Sequence, residues 1–152
     1  MAEPLSPNVV VNVCCNCIPA AGHLPRQFKQ NGVHVLVREV PCSGKIDGQY
    51  LLHTIEGVTH GLCVMACPSG RCRLGQGNYR AGIRVRTIQR LLEEIGLEPE
   101  RAELVHCGEN ESIESLERRA RDAVRRLGNL EASPLHTERT GLSPLSPATP
   151  RE

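Results

Sequence analysis

Clustered cysteines constrain this chain more than any other feature of its sequence. The sequence reads C-C-N-C at residues 14–17, P-C-S-G at 41–44 and A-C-P-S-G-R-C at 66–72. Each cluster follows a run of β-branched and aliphatic residues, so each is expected at the carboxyl end of a strand. If those strands are parallel, the clusters meet at the edge where open α/β sheets bind ligands. The sequence therefore predicts a thiolate-lined site for an iron-sulfur cluster on a small α/β scaffold.

Four apolar runs, at residues 8–13, 33–40, 61–66 and 102–106, have the length and character of strands. The near-continuous apolarity of residues 8–13 is typical of a strand that is covered on both faces. Helical patterns between and after these runs predict helices over residues 47–57, from about 78 to 96 and over 113–127, the first of them capped by Asp47. Proline and glycine interrupt residues 18–32, so only a short helix around Pro25 to Gln30 is predicted there. This order predicts a single small flavodoxin-like three-layer α/β sandwich with a four-stranded parallel sheet.

The chain length of 152 residues suits one domain with its own core and is too short for two of ordinary size. We expect residues 8–128 to form the iron-sulfur-binding α/β domain. Residues 129–152 carry four prolines among serines and threonines and little apolar surface. This composition predicts a disordered Ser/Pro-rich C-terminal tail.

Charge and composition argue against several classes of partner. The net charge is +1 and the chain has only three aromatic residues, which are scattered, so nucleic-acid binding is not expected. No apolar run approaches the roughly 20 residues that span a bilayer, and the first residues do not resemble a secretory signal. We therefore expect a cytoplasmic protein that has no membrane partner. Eight cysteines in a reducing compartment point to metal or redox chemistry rather than disulfides.

The cysteines at the strand ends are the candidate ligands. They are Cys14, Cys17, Cys42, Cys67 and Cys72. A two-iron or four-iron cluster normally takes four thiolates, so one of the five is spare. Cys14 and Cys17 form a chelating pair and Cys67 and Cys72 a looser one, with Cys42 competing for a place.

Three other cysteines are weaker candidates. Cys15 is expected to point away from its two neighbours in the cluster. Cys63 lies in the middle of a predicted strand, where a free cysteine is an ordinary small core residue. Cys107 ends the fourth predicted strand at the functional edge, but it has no partner nearby in the sequence.

Alternative chemistries remain open from the residues alone. A structural zinc ion also accepts four cysteines, so a zinc-stabilised interaction module is the main alternative. A dithiol oxidoreductase at Cys14 and Cys17 would leave the other cysteines unexplained, and a thiol-rich domain without a cofactor would not explain cysteines at three successive strand ends. The sequence contains no visible acid–base pair and no nucleophile with a base. This agrees with an electron relay that has no substrate of its own and is not an enzyme by itself.

The ordered set of motifs resembles the delta subunit family of methyl-viologen-reducing hydrogenase. The set comprises C-x-x-C at 14–17, V-P-C-S-G-K-I-D at 40–47, C-x-x-G-x-C at 67–72 and G-N at 77–78, within roughly residues 9–127. The resemblance implies a two-iron two-sulfur (2Fe-2S) cluster. It also implies a relay of electrons between a hydrogenase or other dehydrogenase and the flavoprotein subunit of heterodisulfide reductase.

The chain departs from the family pattern at two places. The family usually has an aromatic residue between the first two cysteines, where this chain has Cys15-Asn16, and often a histidine after the third-strand cysteine, where this chain has Pro68-Ser69. Neither change removes a thiolate. The resemblance therefore supports cluster binding more strongly than it supports a particular partner or reduction potential.

Overall fold

The computed structural model describes residues 8–18, 24–41, 46–58, 60–67, 77–108 and 111–134. Within these residues the protein is a mixed α/β structure with one five-stranded sheet and three helices. The strands are β1 (Val9–Cys14), β2 (Gln27–Gln30), β3 (Val33–Val40), β4 (Gly61–Ala66) and β5 (Ala102–His106). The helices are α1 (Gly48–Gly57), α2 (Gly77–Glu94) and α3 (Ile113–Gly128).

The sheet has the strand order β2-β3-β1-β4-β5. The four strands expected from the sequence, β1, β3, β4 and β5, pair in parallel. The prediction of a purely parallel four-stranded sheet is nevertheless wrong, because β2 adds a fifth, antiparallel strand at the edge beside β3. The sheet is therefore mixed.

The short helix predicted around Pro25 to Gln30 is also wrong, since this segment contains β2. Its residues alternate between exposed and half-buried, as in a strand with one covered face, and Phe28 packs against the core. Asn31 and Gly32 both have positive φ, at 50° and 79°, and form the two-residue turn between β2 and β3. Asn-Gly at this position is a strong hairpin signal, because positive φ at both residues matches the twist of the two strands.

Two apolar cores lie on opposite faces of the sheet, which gives the molecule three layers. One core packs α3 against the side chains of β1, β3 and β4 that alternate onto that face, among them Val11, Val35 and Met65. The other core packs α1 and α2 against Leu62 and Val64 of β4. Strand β1 has neighbours on both sides and helices on both faces, so all six of its residues are buried.

The helix ends follow local sequence signals. Asp47 caps α1 as predicted, since its carboxylate accepts hydrogen bonds from the backbone N–H groups of Gln49 at 2.6 Å and Tyr50 at 3.4 Å. Ser112 caps α3 by accepting a hydrogen bond from the Ser115 N–H at 3.2 Å. Among the described helices, none is long and apolar enough to cross a bilayer.

Some sequence predictions fall on residues that the structure does not describe. Cys42 and Cys72 are in this group, and so is the part of the tail from residue 135 onwards. The boundary of the folded domain at residue 128 and the disorder of the tail therefore stay predictions.

A tight backbone crossing at the start of β4 generates the first testable prediction. A Cβ atom on Gly61 would lie 2.2 Å from the backbone carbonyl oxygen of Arg101, and neither backbone can move without disturbing the β4–β5 pairing. Gly61→Ala should therefore lower the free energy of unfolding by about 1–3 kcal/mol, as overpacked core sites do. Denaturant unfolding followed by circular dichroism measures this loss. Gly57→Ala is the matched control, because no heavy atom lies within 4 Å of its Cβ position, and it should not destabilise the protein.

Candidate metal centre

Three thiols converge at the carboxyl edge of the parallel strands. Cys14 is the last residue of β1, Cys17 ends the short helical turn that follows it, and Cys67 comes directly after β4. The Cys14 and Cys67 sulfurs are 3.6 Å apart, and the Cys17 and Cys67 sulfurs are 3.7 Å apart. All three sulfurs lie within 4.8 Å of one another.

The chain path after β1 and β4 explains this convergence. The two strands are parallel neighbours with Val13 opposite Met65, so the residues that follow them leave the sheet side by side. Cys15–Cys17 then form a single helical turn, which the Ile18 N–H closes by donating to the Cys15 carbonyl oxygen at 3.2 Å. This turn folds Cys17 back towards the position where Cys67 emerges from β4.

The sulfur spacing fits a thiophilic metal. A metal–sulfur distance of about 2.3 Å in tetrahedral geometry separates neighbouring thiolates by about 3.8 Å. The separations of 3.6 and 3.7 Å are close to that value. Zinc and the iron of iron-sulfur clusters both favour tetrahedral thiolate ligation, so these three residues fit either of them.

A neighbouring thiol and burial keep the Cys17 thiol neutral until a metal replaces its proton. Cys14 and Cys67 are 1% and 3% exposed, and Cys17 is half-buried. A hydrogen bond with Cys107 together with burial raises the pKa of Cys17 well above its ordinary range, although a hydrogen bond with Cys14 opposes this shift. Because the ligand form is the thiolate, metal binding at this site must release protons.

The structure brings together three of the five cysteines predicted as ligands, Cys14, Cys17 and Cys67. Whether Cys42 and Cys72 contribute stays a prediction, since they lie outside the described residues. Two of the weak candidates behave as expected. Cys15 is exposed, and its thiol lies 3.6 Å from the Pro41 carbonyl oxygen. Cys63 is fully buried in the core beneath α3, and burial raises the pKa of its thiol.

Cys107 was predicted at this edge, but the sequence did not reveal that it lies beside Cys17. It follows β5, is 2% exposed, and belongs to the core against which Cys17 packs. Its backbone N–H donates to the Ala66 carbonyl oxygen at 2.8 Å, which fixes it beside the residue that precedes Cys67. Its place at the end of a strand was the available signal, because parallel strands deliver their last residues to the same edge.

Gly108, the residue after Cys107, is bound by Glu111. The Glu111 carboxylate accepts hydrogen bonds from the Gly108 N–H, from the Ser115 hydroxyl at 2.7 Å and from Arg119 at 2.7 Å. Burial by itself would raise the pKa of Glu111, but the three donors outweigh it and the pKa is lowered. This network ties the turn that carries Cys107 to the first two turns of α3.

Comparison with known proteins identifies the family. Residues 9–131 match the family model described as methyl-viologen-reducing hydrogenase, delta subunit. The chain therefore belongs to this family. The resemblance inferred from the cysteine motifs is confirmed.

The chain is also similar to named members of hydrogenase complexes. It is 31% identical over 118 residues to an F420-non-reducing hydrogenase iron-sulfur subunit of Archaeoglobus profundus, a match that covers 77% of this chain and 86% of that protein. It is 27% identical over 134 residues to the vhc iron-sulfur subunit of the F420-non-reducing hydrogenase of Methanococcus voltae, which covers 84% of this chain and 91% of that protein.

A different kind of relative matches over a short part of its length. The chain is 28% identical over 96 residues to one subunit of the ferredoxin:CoB-CoM heterodisulfide reductase of Methanosarcina mazei. The match covers 62% of this chain and 12% of that protein. The larger relative therefore contains a segment similar to most of this delta-subunit family member.

The Glu111 network generates a prediction about pH. The folded-state pKa of Glu111 lies below its ordinary value of 4.5, so its carboxylate stabilises the fold above that pH and loses this contribution as the pH falls through the folded-state pKa. Glu111→Gln should therefore lower the melting temperature at pH 7, and the difference from wild type should shrink below about pH 4.5. Calorimetry from pH 7 to pH 3 measures the difference. The exposed Glu131→Gln is the control, and a pH-independent difference for Glu111→Gln would contradict the assignment.

Proposed function

We propose that this protein is an electron-transfer subunit that carries a 2Fe-2S cluster. It relays electrons between a hydrogenase or other dehydrogenase and a heterodisulfide-reductase-type flavoprotein subunit. When bound, such a cluster accepts and returns single electrons. The observation that carries the proposal is the convergence of the Cys14, Cys17 and Cys67 sulfurs at one edge of the sheet.

The ligands proposed for the cluster are four of Cys14, Cys17, Cys42, Cys67 and Cys72. Cys14, Cys17 and Cys67 supply three thiolates from two neighbouring strand ends. The family motifs offer Cys42 or Cys72 for the remaining position. The half-buried Cys17 lies closest to solvent among the three convergent residues, so it marks the side on which an electron-transfer partner would approach.

The relatives support the proposed partners. Similar proteins are named as hydrogenase iron-sulfur subunits, and another is named as a heterodisulfide reductase subunit that contains a segment like this chain. A cytoplasmic location belongs to the same proposal. It is supported by the six described cysteines, which are thiols rather than disulfides and would persist as thiols in a reducing compartment.

A zinc-stabilised interaction module is the second candidate function. It is favoured by one observation, that the sulfur separations of 3.6 and 3.7 Å also match the edge of a tetrahedral zinc–thiolate site. The two candidates differ in metal content and colour. Zinc has no redox chemistry and no visible absorption, whereas an iron-sulfur cluster has both.

Anaerobic reconstitution tests the proposed function. The protein should take up about two irons and about two acid-labile sulfides per chain and show visible bands that bleach on reduction. Cys67→Ser should lose most of this iron, because the Cys67 sulfur contacts both Cys14 and Cys17.

Cys63→Ser is the matched control for this experiment. It alters a buried cysteine in the same strand region but away from the metal edge, and it should retain the cluster. Circular dichroism checks that both variants fold. A colourless protein that holds stoichiometric zinc after anaerobic purification and does not take up iron would reject the electron relay.

A further inference from the structure

The three convergent thiols leave a tetrahedral metal one ligand short, and Cys107 lies at the same edge of the sheet. The parallel β4–β5 pairing sets Ala66 opposite His106, so the next residues, Cys67 and Cys107, leave the sheet together. The Cys107 N–H bond to the Ala66 carbonyl oxygen extends this pairing by one residue. The His106 ring nitrogen Nδ1 lies 2.9 Å from the Cys67 carbonyl oxygen and links the same two chain segments.

Four described thiols lie at this edge. The Cys67 sulfur is 3.6 Å from that of Cys14 and 3.7 Å from that of Cys17, and Cys107 belongs to the core against which Cys17 packs. Cys107 is outside the group whose sulfurs all lie within 4.8 Å of one another, so it is close to Cys17 but farther from at least one of the others. A two-iron centre does not need all four sulfurs in mutual contact, because each iron takes two thiolates.

We propose that Cys107 is the fourth thiolate ligand of the metal centre, beside Cys14, Cys17 and Cys67. The inference rests on the metal centre of the proposed function, but it does not require that the metal be iron. Each of the four thiols loses its proton to solvent as it becomes a ligand, so four protons leave when the site fills. Cys42 and Cys72 are then not required as ligands, which departs from the assignment that the motifs suggest.

The surroundings of Cys107 hold it in a fixed position. The backbone on its N-terminal side is tied to β4, and Glu111 binds the Gly108 N–H on its C-terminal side. A ligand whose backbone is fixed on both sides loses little conformational entropy on binding. Cys63 differs from it, since it lies in the middle of β4, opposite Glu103 of β5 and away from the edge where the strands end.

Cobalt(II) titration of the full-length protein counts the thiolates directly and does not depend on iron. The charge-transfer absorption per bound cobalt reflects the number of thiolates, so Cys107→Ser should lower it by about one quarter, from four thiolates to three. Cys63→Ser should leave it unchanged. Unchanged absorption in a folded Cys107→Ser variant would overturn the proposal.

A second variant avoids any disturbance of the buried Cys107 site. The Cys42→Ser/Cys72→Ser double variant leaves Cys14, Cys17, Cys67 and Cys107 intact, and it should keep the full four-thiolate absorption. A fall of a quarter or more in this double variant would overturn the proposal even if Cys107→Ser fails to fold.

The iron-loaded protein separates this inference from the proposed function. With serine oxygen replacing sulfur at position 107, the cluster should lose iron or show shifted electron paramagnetic resonance signals, whereas Cys63→Ser should match wild type. A wild type that takes up no iron but binds cobalt with four thiolates would reject the electron relay and keep Cys107 as a ligand. A normal cluster signal in Cys107→Ser would overturn the Cys107 assignment and keep the relay.

Discussion

The parallel pairing of β1 with β4 is the interaction on which the metal centre depends. Backbone hydrogen bonds set Val9 opposite Gly61 and Val13 opposite Met65, so the two strands end together. Cys14 and Cys67 are 53 residues apart in sequence, yet their sulfurs are 3.6 Å apart. An antiparallel pairing would send the two cysteines to opposite ends of the sheet. The connection through β2, β3 and α1 returns the chain so that β4 runs parallel to β1, and this places Cys14 and Cys67 at one site.

Much of this architecture could be predicted from local patterns. The β-branched runs predicted β1, β3, β4 and β5, and the apolar periodicity predicted α1, α2 and α3. The Asp47 cap could be recognised because the capping residue and the N–H groups that it binds are adjacent in sequence. These features depend on residues within one or two turns of each other.

Two features were not predicted. The β2–β3 hairpin had a local signal that the surrounding prolines and glycines outweighed, and the proximity of Cys17 and Cys107 depends on long-range structure. Proline and glycine around residues 18–32 favoured a loop with a short helix, although Asn31-Gly32 and the alternation around Phe28 are typical of a hairpin. The contact between Cys17 and Cys107 could not be derived from spacing, because it depends on β5 lying next to β4. Strand order is a property of the whole sheet, and the sequence near Cys107 does not encode it.

Beside the cysteines, β1 carries a buried polar residue that belongs to none of the cysteine motifs. Asn12 is fully buried between Arg38 of β3 and Val64 of β4, and its side-chain oxygen lies 3.2 Å from the Tyr50 hydroxyl of α1. Arg38 in turn donates to the same hydroxyl at 2.5 Å. An amide buried in a strand costs free energy unless it is hydrogen-bonded, so this contact favours one seating of α1 on the sheet.

Burial and metal binding are linked at the carboxyl edge. A neighbouring thiol and burial disfavour the thiolate form of Cys17, and a bound metal offsets this cost through its positive charge. A metal that binds only the folded state stabilises that state, so the centre contributes to the stability of the domain as well as to its chemistry. Backbone pairing and the two cores fix the strand ends and so bring the sulfurs together. The thiol edge is thus a consequence of the fold, and the metal adds stability to an arrangement that the backbone already specifies.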